Sequence, residues 1–451
     1  MKIVFLCDSI FSYGGVQKVL AVIATELSKY NDVIILTHDK AEESDATMYG
    51  LDRSAVKIIF MHRDRPAAWE YLPCKTYSFL YKKVLPHKKI FSIIYNHSSF
   101  SYTQQKRLEE HLNRTQADII IGVHAFISIK LAIIRKRLEA KKVIGWIHTS
   151  YEALFDPQGA YLPRQKEQFR YIIPNLNSVI VLTRHDRILY KSQLNIETIT
   201  IHNPVTLEET HILPKERIQK RFLAIGRLSH QTKGFDLLIE AFAQFRLKHD
   251  GWILDIIGEG PEEPLLRNLI RKHRMENSIK IHPFTQNIAS YYSASDVFIL
   301  SSRWEGFPLV LCEAMSMGLP VIASDLPVVK EILSDEQDCL IFQNGCVASL
   351  AEKMDRMVTL KDIHTMGKAA FAKSRHFLVS DIIEQWKKLI NDKNKHNVIY
   401  QTTTLVWSVL YRSSQIQRHH RIFGRGWRIS TTYFTGRLRY HGCCHCHHRF
   451  L

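Results

Sequence analysis

The sequence predicts an α/β protein of two doubly wound, Rossmann-like domains with a cleft between them. Three observations lead there. Short apolar runs alternate with longer amphipathic ones, the rhythm of strands and helices in a parallel sheet. That rhythm is played twice, once on each side of residues 198–205, "TITIHNPV". The length, 451 residues, exceeds one ordinary domain of roughly 150 residues.

In the first series "KIVFLCD", "DVIILTH", "VKIIFMH", "ADIIIGVH", "KKVIGWIH" and "SVIVLTR" are the expected strands. The first is expected to be a buried strand and not a leader, because Asp8 interrupts it and no small-residue cleavage site follows. Gly14 and Gly15 then open an amphipathic helix in "GGVQKVLAVIATELSK". In the second series the expected strands are "RFLAIGR", "WILDIIGEG", "IKIHPF", "DVFILSS", "PVIASD" and "CLIFQ". Residues 377–392, "FLVSDIIEQWKKLIND", space their apolar positions for a last amphipathic helix. The expected division is 1–203, 204–376, the helix 377–392, and a tail, 396–451.

Composition sets limits. With 45% hydrophobic and 23% charged residues the chain can bury large cores. No apolar run approaches the ~20 residues of a spanning helix. The eight cysteines lack the spacing of a disulfide framework, which fits a reducing, cytoplasmic compartment. Of the net charge of +17, eight belong to the tail, which has eight arginines, no lysine and no acid. The nine left on the body suit phosphorylated ligands or an anionic membrane and do not by themselves imply nucleic acid. Cys443, Cys444 and Cys446 in the tail lie too close together to form two separated metal-ligand pairs, and the tail is expected to be disordered.

The chemistry concentrates in "SSRWEGFPLVLCEAMSMGLPVIASD", residues 301–325. A loop leaves the carboxyl end of a strand, a helix is expected from Pro308, and Gly318 closes it. Glu305 then lies in the loop and Glu313 five residues into the helix, ~8 Å along its axis. Two acids so placed can hold two ends of one hydroxyl-rich ligand. The N–H groups near Gly306, Phe307 and Leu309 are expected to face that ligand unpaired. In "AIGRLSHQTKGFDLLIEAF", Arg227 and Lys233 share a loop before a helix beginning near Phe235, and two cations there suit a diphosphate. Gly258 and Gly260 in "IIGEGPEE", and Gly14 with Gly15, are small residues where backbone can approach a phosphate or base. His148, in "WIHTS", follows a strand into a loop facing the cleft.

These stretches together resemble glycosyltransferase family 4. "EGFPLVLCEAMSMGLPVIAS" is similar to its E-x7-E signature, and "GGVQKVL", "WIH", "GRLSHQTKGFDLL" and "IIGEGPEE" fall in the family's order over residues 1–392. The resemblance implies the GT-B fold, with the last helix crossing back to the first domain, and a sugar nucleotide, with uridine as the default base, as co-substrate without a further cofactor. It implies that Glu313 holds the ribose, that Glu305 with the N–H groups of Gly306 and Phe307 holds the sugar, and that Arg227 and Lys233 neutralise the departing diphosphate. Gly15 then approaches that diphosphate from the other domain, and His148 contacts the donor sugar near the reacting carbon. Transfer with retention is expected. No D-x-D pair occurs in the chain, so no bridging metal is expected. Arg227 and Lys233 stand six apart, one more than the commonest spacing of this motif.

The acceptor is expected on the first domain. Residues 65–97 mix Lys82, Lys83, Lys88 and Lys89 with Trp69, Tyr77, Phe79, Tyr81 and Phe91, which suits either an anionic lipid surface or a helix with a wet basic face and a buried aromatic one. With a lipid surface the acceptor is a lipid-linked saccharide at the cytoplasmic face of the inner membrane, in cell-surface polysaccharide assembly. The competing readings are a sugar-nucleotide epimerase and, on net charge alone, a nucleic-acid-binding protein.

Overall fold

The computed structural model describes residues 1–392 apart from 46, 87, 157–160, 163 and 208–219. The expectation for the tail 396–451 lies outside the described residues.

The first sheet contains β1 (Lys2–Cys7), β2 (Asp32–Thr37), β3 (Lys57–Phe60), β4 (Ile119–Val123), β5 (Lys142–Trp146), β6 (Ser178–Val181) and β7 (Ile199–Thr200), in the order β3-β2-β1-β4-β5-β6-β7. The second contains β8 (Arg221–Ile225), β9 (Ile253–Ile257), β10 (Ile279–His282), β11 (Val297–Leu300), β12 (Val321–Ser324) and β13 (Leu340–Phe342), in the order β10-β9-β8-β11-β12-β13. Every pairing is parallel. Helices cover both faces of such a sheet, so its central strands are continuous aliphatic runs: β1, β4, β11 and β12 are buried almost throughout. All twelve expected strands form. The two-residue β7 adds a strand inside the segment read as the junction. In each sheet the strand order reverses at one crevice, β1/β4 and β8/β11, and the loops at the carboxyl ends there are where such folds bind ligands.

The last helix, Val379–Asn391, lies against the first sheet. Trp386 is fully buried, 4.8 Å from the Trp146 ring and 6.4 Å from Phe5. The Lys142 ammonium caps the helix end, donating to the carbonyls of Leu389, Ile390 and Asp392. Other contacts join the halves around the cleft. Glu331 accepts the N–H groups of Arg184 and His185. Phe307 stacks on His202 and meets Phe377 edge-on.

Five cysteines of the described residues are free. Among the described residues no helix is long and apolar enough to cross a membrane.

Candidate active site

The loop after β11 and the loop after β8 are fastened to each other before any ligand is considered. Arg303 N–H donates to the Thr232 carbonyl at 2.8 Å, and Ser301 Oγ to the Lys233 carbonyl at 2.8 Å. Arg303 also forks onto both oxygens of Asp236 at 2.9 and 2.8 Å, in the first turn of the helix Phe235–Arg246. Gly234 has φ 64°, and a Cβ there would strike the Ser301 carbonyl, so this crossing needs glycine.

The crossing brings Lys233 to Glu305. Lys233 closes the short helical turn His230–Lys233, and its Nζ lies 2.6 Å from Glu305 Oε1. Ser302 Oγ donates to the same oxygen at 2.6 Å. Lys233 is therefore not a free loop cation, as the sequence suggested, but is already held by a carboxylate. Arg227 is exposed on the loop after β8.

Glu313 is 4% exposed and takes three donors. Lys18 Nζ comes from the first domain to Oε1 at 2.6 Å, Thr206 Oγ1 reaches Oε1 at 2.7 Å, and Tyr292 OH reaches Oε2 at 3.0 Å. Burial and the Glu313 charge push the Tyr292 phenol well above its ordinary pKa, and burial does the same to the Cys312 thiol. Both neighbours remain protonated. Lys18, Thr206 and Tyr292 were not foreseen as site residues. Lys18 stands in the quoted "GGVQKVL" one turn after Gly15, whereas nothing local marks Thr206 or Tyr292.

Several details correct the sequence reading. The helix begins at Leu309, with Pro308 as its N-cap and not its first residue. The Leu309 N–H is not open to a ligand, since it donates to the Phe307 carbonyl at 3.0 Å. The N–H groups of Gly306 and Phe307 have no acceptor among the described residues. The Gly14 N–H donates to Tyr49 OH at 3.2 Å, and Gly15 faces the second domain, where a Cβ would come 2.8 Å from Leu309 Cδ1. Gly258 (φ 153°) and Gly260 permit close approach to the Gly226 and Leu228 backbone, bracing the Arg227 loop. Gly318, with φ 69°, closes the helix as expected.

His148 lies beneath the Glu305 loop. A Cβ on Gly306 would collide with the His148 carbonyl oxygen, so the two domains touch here through bare backbone. The His148 side chain packs 4.2 Å from Trp146 and 5.4 Å from His124, ring centroid to centroid. It is 7% exposed, and both ring nitrogens lack a partner among the described residues. A buried imidazole left without a hydrogen bond costs about 1–3 kcal/mol. Burial, with His124 adding to it, holds the His148 pKa well below 6.5. The ring is neutral at physiological pH. The unfolded chain takes up a proton near pH 6.5 that the folded site refuses, so this contribution to stability is full above about pH 6.5 and is lost as the pH falls. Urea midpoints from pH 8 to 5 are expected to decline more steeply in the wild type than in His148→Gln; parallel declines would show that His148 is free to ionise in the fold.

Two parallel sheets, of seven and six strands, meet through their loops, which bring a carboxylate–lysine pair and a second buried carboxylate to one side and an imidazole without a partner among the described residues to the other. This is the arrangement of a GT-B transferase. The Glycosyltransferase Family 4 model matches residues 13–209, and the Glycosyl transferases group 1 model matches 208–373. The chain belongs to the glycosyltransferases of this family. An uncharacterized glycosyltransferase of Haemophilus influenzae is 28% identical over 64% of the chain and 80% of its own length. The amylovoran biosynthesis glycosyltransferase AmsD of Erwinia amylovora is 24% identical over 86% of the chain and 99% of its own. Among solved structures, a TarM variant of S. aureus in complex with fondaparinux, α-GlcNAc-glycerol and UDP superposes with TM-score 0.67 at 17% identity, covering 87% of this chain and all of that one.

Proposed function

We propose that the chain transfers a hexose or N-acetylhexosamine, with retention of configuration, from a UDP-sugar to a lipid-linked saccharide in cell-surface polysaccharide assembly. The observation that carries this reading is the pair of acids eight residues apart, Glu305 on Lys233 and Glu313 on Lys18 of the other domain, where the two domains meet. Glu313 accepts the ribose hydroxyls. Glu305 and the Gly306 and Phe307 N–H groups take the sugar, and neutral His148 gives and accepts a hydrogen bond on its other side. Lys233, with Arg227, stabilises charge as it develops on the leaving diphosphate, without a metal bridge. The acceptor oxygen attacks from the leaving group's face.

The test is nucleotide release by the purified chain from UDP-glucose, UDP-galactose, UDP-N-acetylglucosamine and GDP-mannose, with and without EDTA. Release from one donor, unchanged by EDTA, is expected. A folded protein that turns over none of them would sink the reading.

The acceptor's lipid is supported by the helices Ala68–Lys83 and Lys89–Ser99. Tyr81 and Tyr95 stack inward at 4.3 Å, but Trp69, Leu72, Phe79 and Val84 are 61–73% exposed beside exposed Lys82, Lys83, Lys88 and Lys89. The apolar side chains are thus not turned into the core, as a solvated helix requires. They suit the interface of an anionic bilayer, where each lysine contributes ~1 kcal/mol. Vesicles containing phosphatidylglycerol are expected to sediment the protein, and Trp69→Ser with Phe79→Ser to leave it in the supernatant. A wild type that stays in the supernatant would refute membrane docking.

A further inference from the structure

We propose that Asp8 and His124 form the subsite that grips the saccharide acceptor, holding ring hydroxyls adjacent to the attacking one. The inference rests on the transferase reading and adds residues on the acceptor side of the cleft. The ladder fixes their placement. β1 and β4 are neighbours with Leu6 opposite Gly122, and Asp8 and His124 each follow two residues beyond that pair, near enough for the Asp8 charge to act on the imidazole. Both residues follow the carboxyl ends of their strands, on the two sides of the crevice where the strand order reverses. The next strand, β5, delivers His148, whose ring is 5.4 Å from that of His124 and whose nitrogens have no partner among the described residues. A donor sugar between His148 and the Glu305 loop therefore borders the Asp8–His124 crevice.

Two features suggest a ligand rather than a scaffold. Asp8 accepts no hydrogen bond among the described residues. By contrast Asp39, nearby, is spent on Ile10 and Phe11 N–H and on Thr37 Oγ1, and shapes the loop that carries Asp8. His124 has φ 79° and ψ 157°, a conformation that favours glycine, and it is held there by its N–H to the Trp146 carbonyl and by Ser128 on its own carbonyl. Strain of roughly 1–3 kcal/mol is tolerated at a position that a glycine would fill without it. The imidazole must then be worth its place. A carboxylate beside a neutral imidazole offers hydrogen-bond acceptors and a donor at hydroxyl spacing, and burial keeps His124 neutral against the pull of Asp8. During transfer the acceptor oxygen bonds to the anomeric carbon as that carbon's bond to the diphosphate oxygen breaks, and the hydroxyl proton leaves with the nucleoside diphosphate. Asp8 and His124 exchange no proton and set the angle of approach.

The probes are octyl glycosides of glucose, galactose and N-acetylglucosamine, with glycosylated product read by mass spectrometry. Asp8→Asn and His124→Gly are each expected to lower kcat/KM for the best octyl glycoside tenfold or more, with the UDP dissociation constant within twofold of wild type. His124→Gly is expected to melt at or above the wild-type temperature, because it relieves the backbone. Unchanged acceptor kinetics, UDP binding lost in step with transfer, or a lower melting temperature for His124→Gly would each overturn the subsite and leave the transferase reading intact. A wild type that releases nucleotide but glycosylates none of the sugars removes the saccharide acceptor and the subsite with it; one that turns over no donor removes both.

Discussion

Glu305→Gln is expected to lower kcat by about 10²–10³-fold while UDP affinity changes little, a loss of the size seen when one preorganised electrostatic contact to a transition state is removed. The change keeps the side chain's volume and removes its charge. In the structure that charge fixes Lys233 at 2.6 Å and accepts Ser302 Oγ at 2.6 Å. With glutamine the ammonium and the sugar keep at most a neutral carbonyl acceptor in place of a charged one. Both effects grow as the C–O bond breaks, so they fall on kcat and not on donor binding. Stability is expected to fall as well, by up to about 3 kcal/mol, because the Lys233 side chain is only 20% exposed and loses its partner's charge. Single-turnover kinetics with the active donor, beside calorimetric titration with UDP, separate the two terms. A kcat within threefold of wild type would remove Glu305 from the chemistry.

Glu313→Ala is expected to act on the opposite term, weakening UDP binding about 10–100-fold, the equivalent of losing hydrogen bonds to a charged group at ~1.5–3 kcal/mol. It should also cost stability. Breaking a buried pair by removing one partner costs about 3–5 kcal/mol, and the low end is expected here because Lys18 is 28% exposed and can turn to water. Tyr292 is less affected, since its OH also donates to the Val310 carbonyl at 3.1 Å. The double variant Lys18→Met with Glu313→Ala should recover part of the stability, having no orphaned cation, and none of the UDP affinity. Recovery of affinity in the double variant would mean that Glu313 serves the domain contact and not the nucleotide.

Much of this was legible in the sequence. Strand assignment was secure because each apolar run is bounded by a loop with its own chemistry, and burial on both faces of a parallel sheet leaves runs too continuous to misread. The turn at Gly318 and the helix at Phe235 were equally local. Errors cluster where a group's partner lies far along the chain. The Gly14 N–H is taken by a tyrosine 35 residues away, and Glu313 by a lysine 295 residues earlier. The glycines at 258 and 260 read as places for a phosphate to approach; in the fold a Cβ at either would also strike the backbone of Gly226 or Leu228, a contact that no local signal announces.

The two sheets, the acids eight residues apart and the loops that bear the cations are legible in the chain, since periodicity, turn residues and spacing are properties of neighbours along it. The tertiary structure alone sets which charges are paired, that His148 is buried without a partner among the described residues, and that Trp69 and Phe79 face outward. Pairing and burial depend on which loops meet at the strand ends, and a hydrogen bond of 2.6 Å between Lys233 and Glu305, 72 residues apart, is set by the parallel order of β8 and β11 and by no local signal.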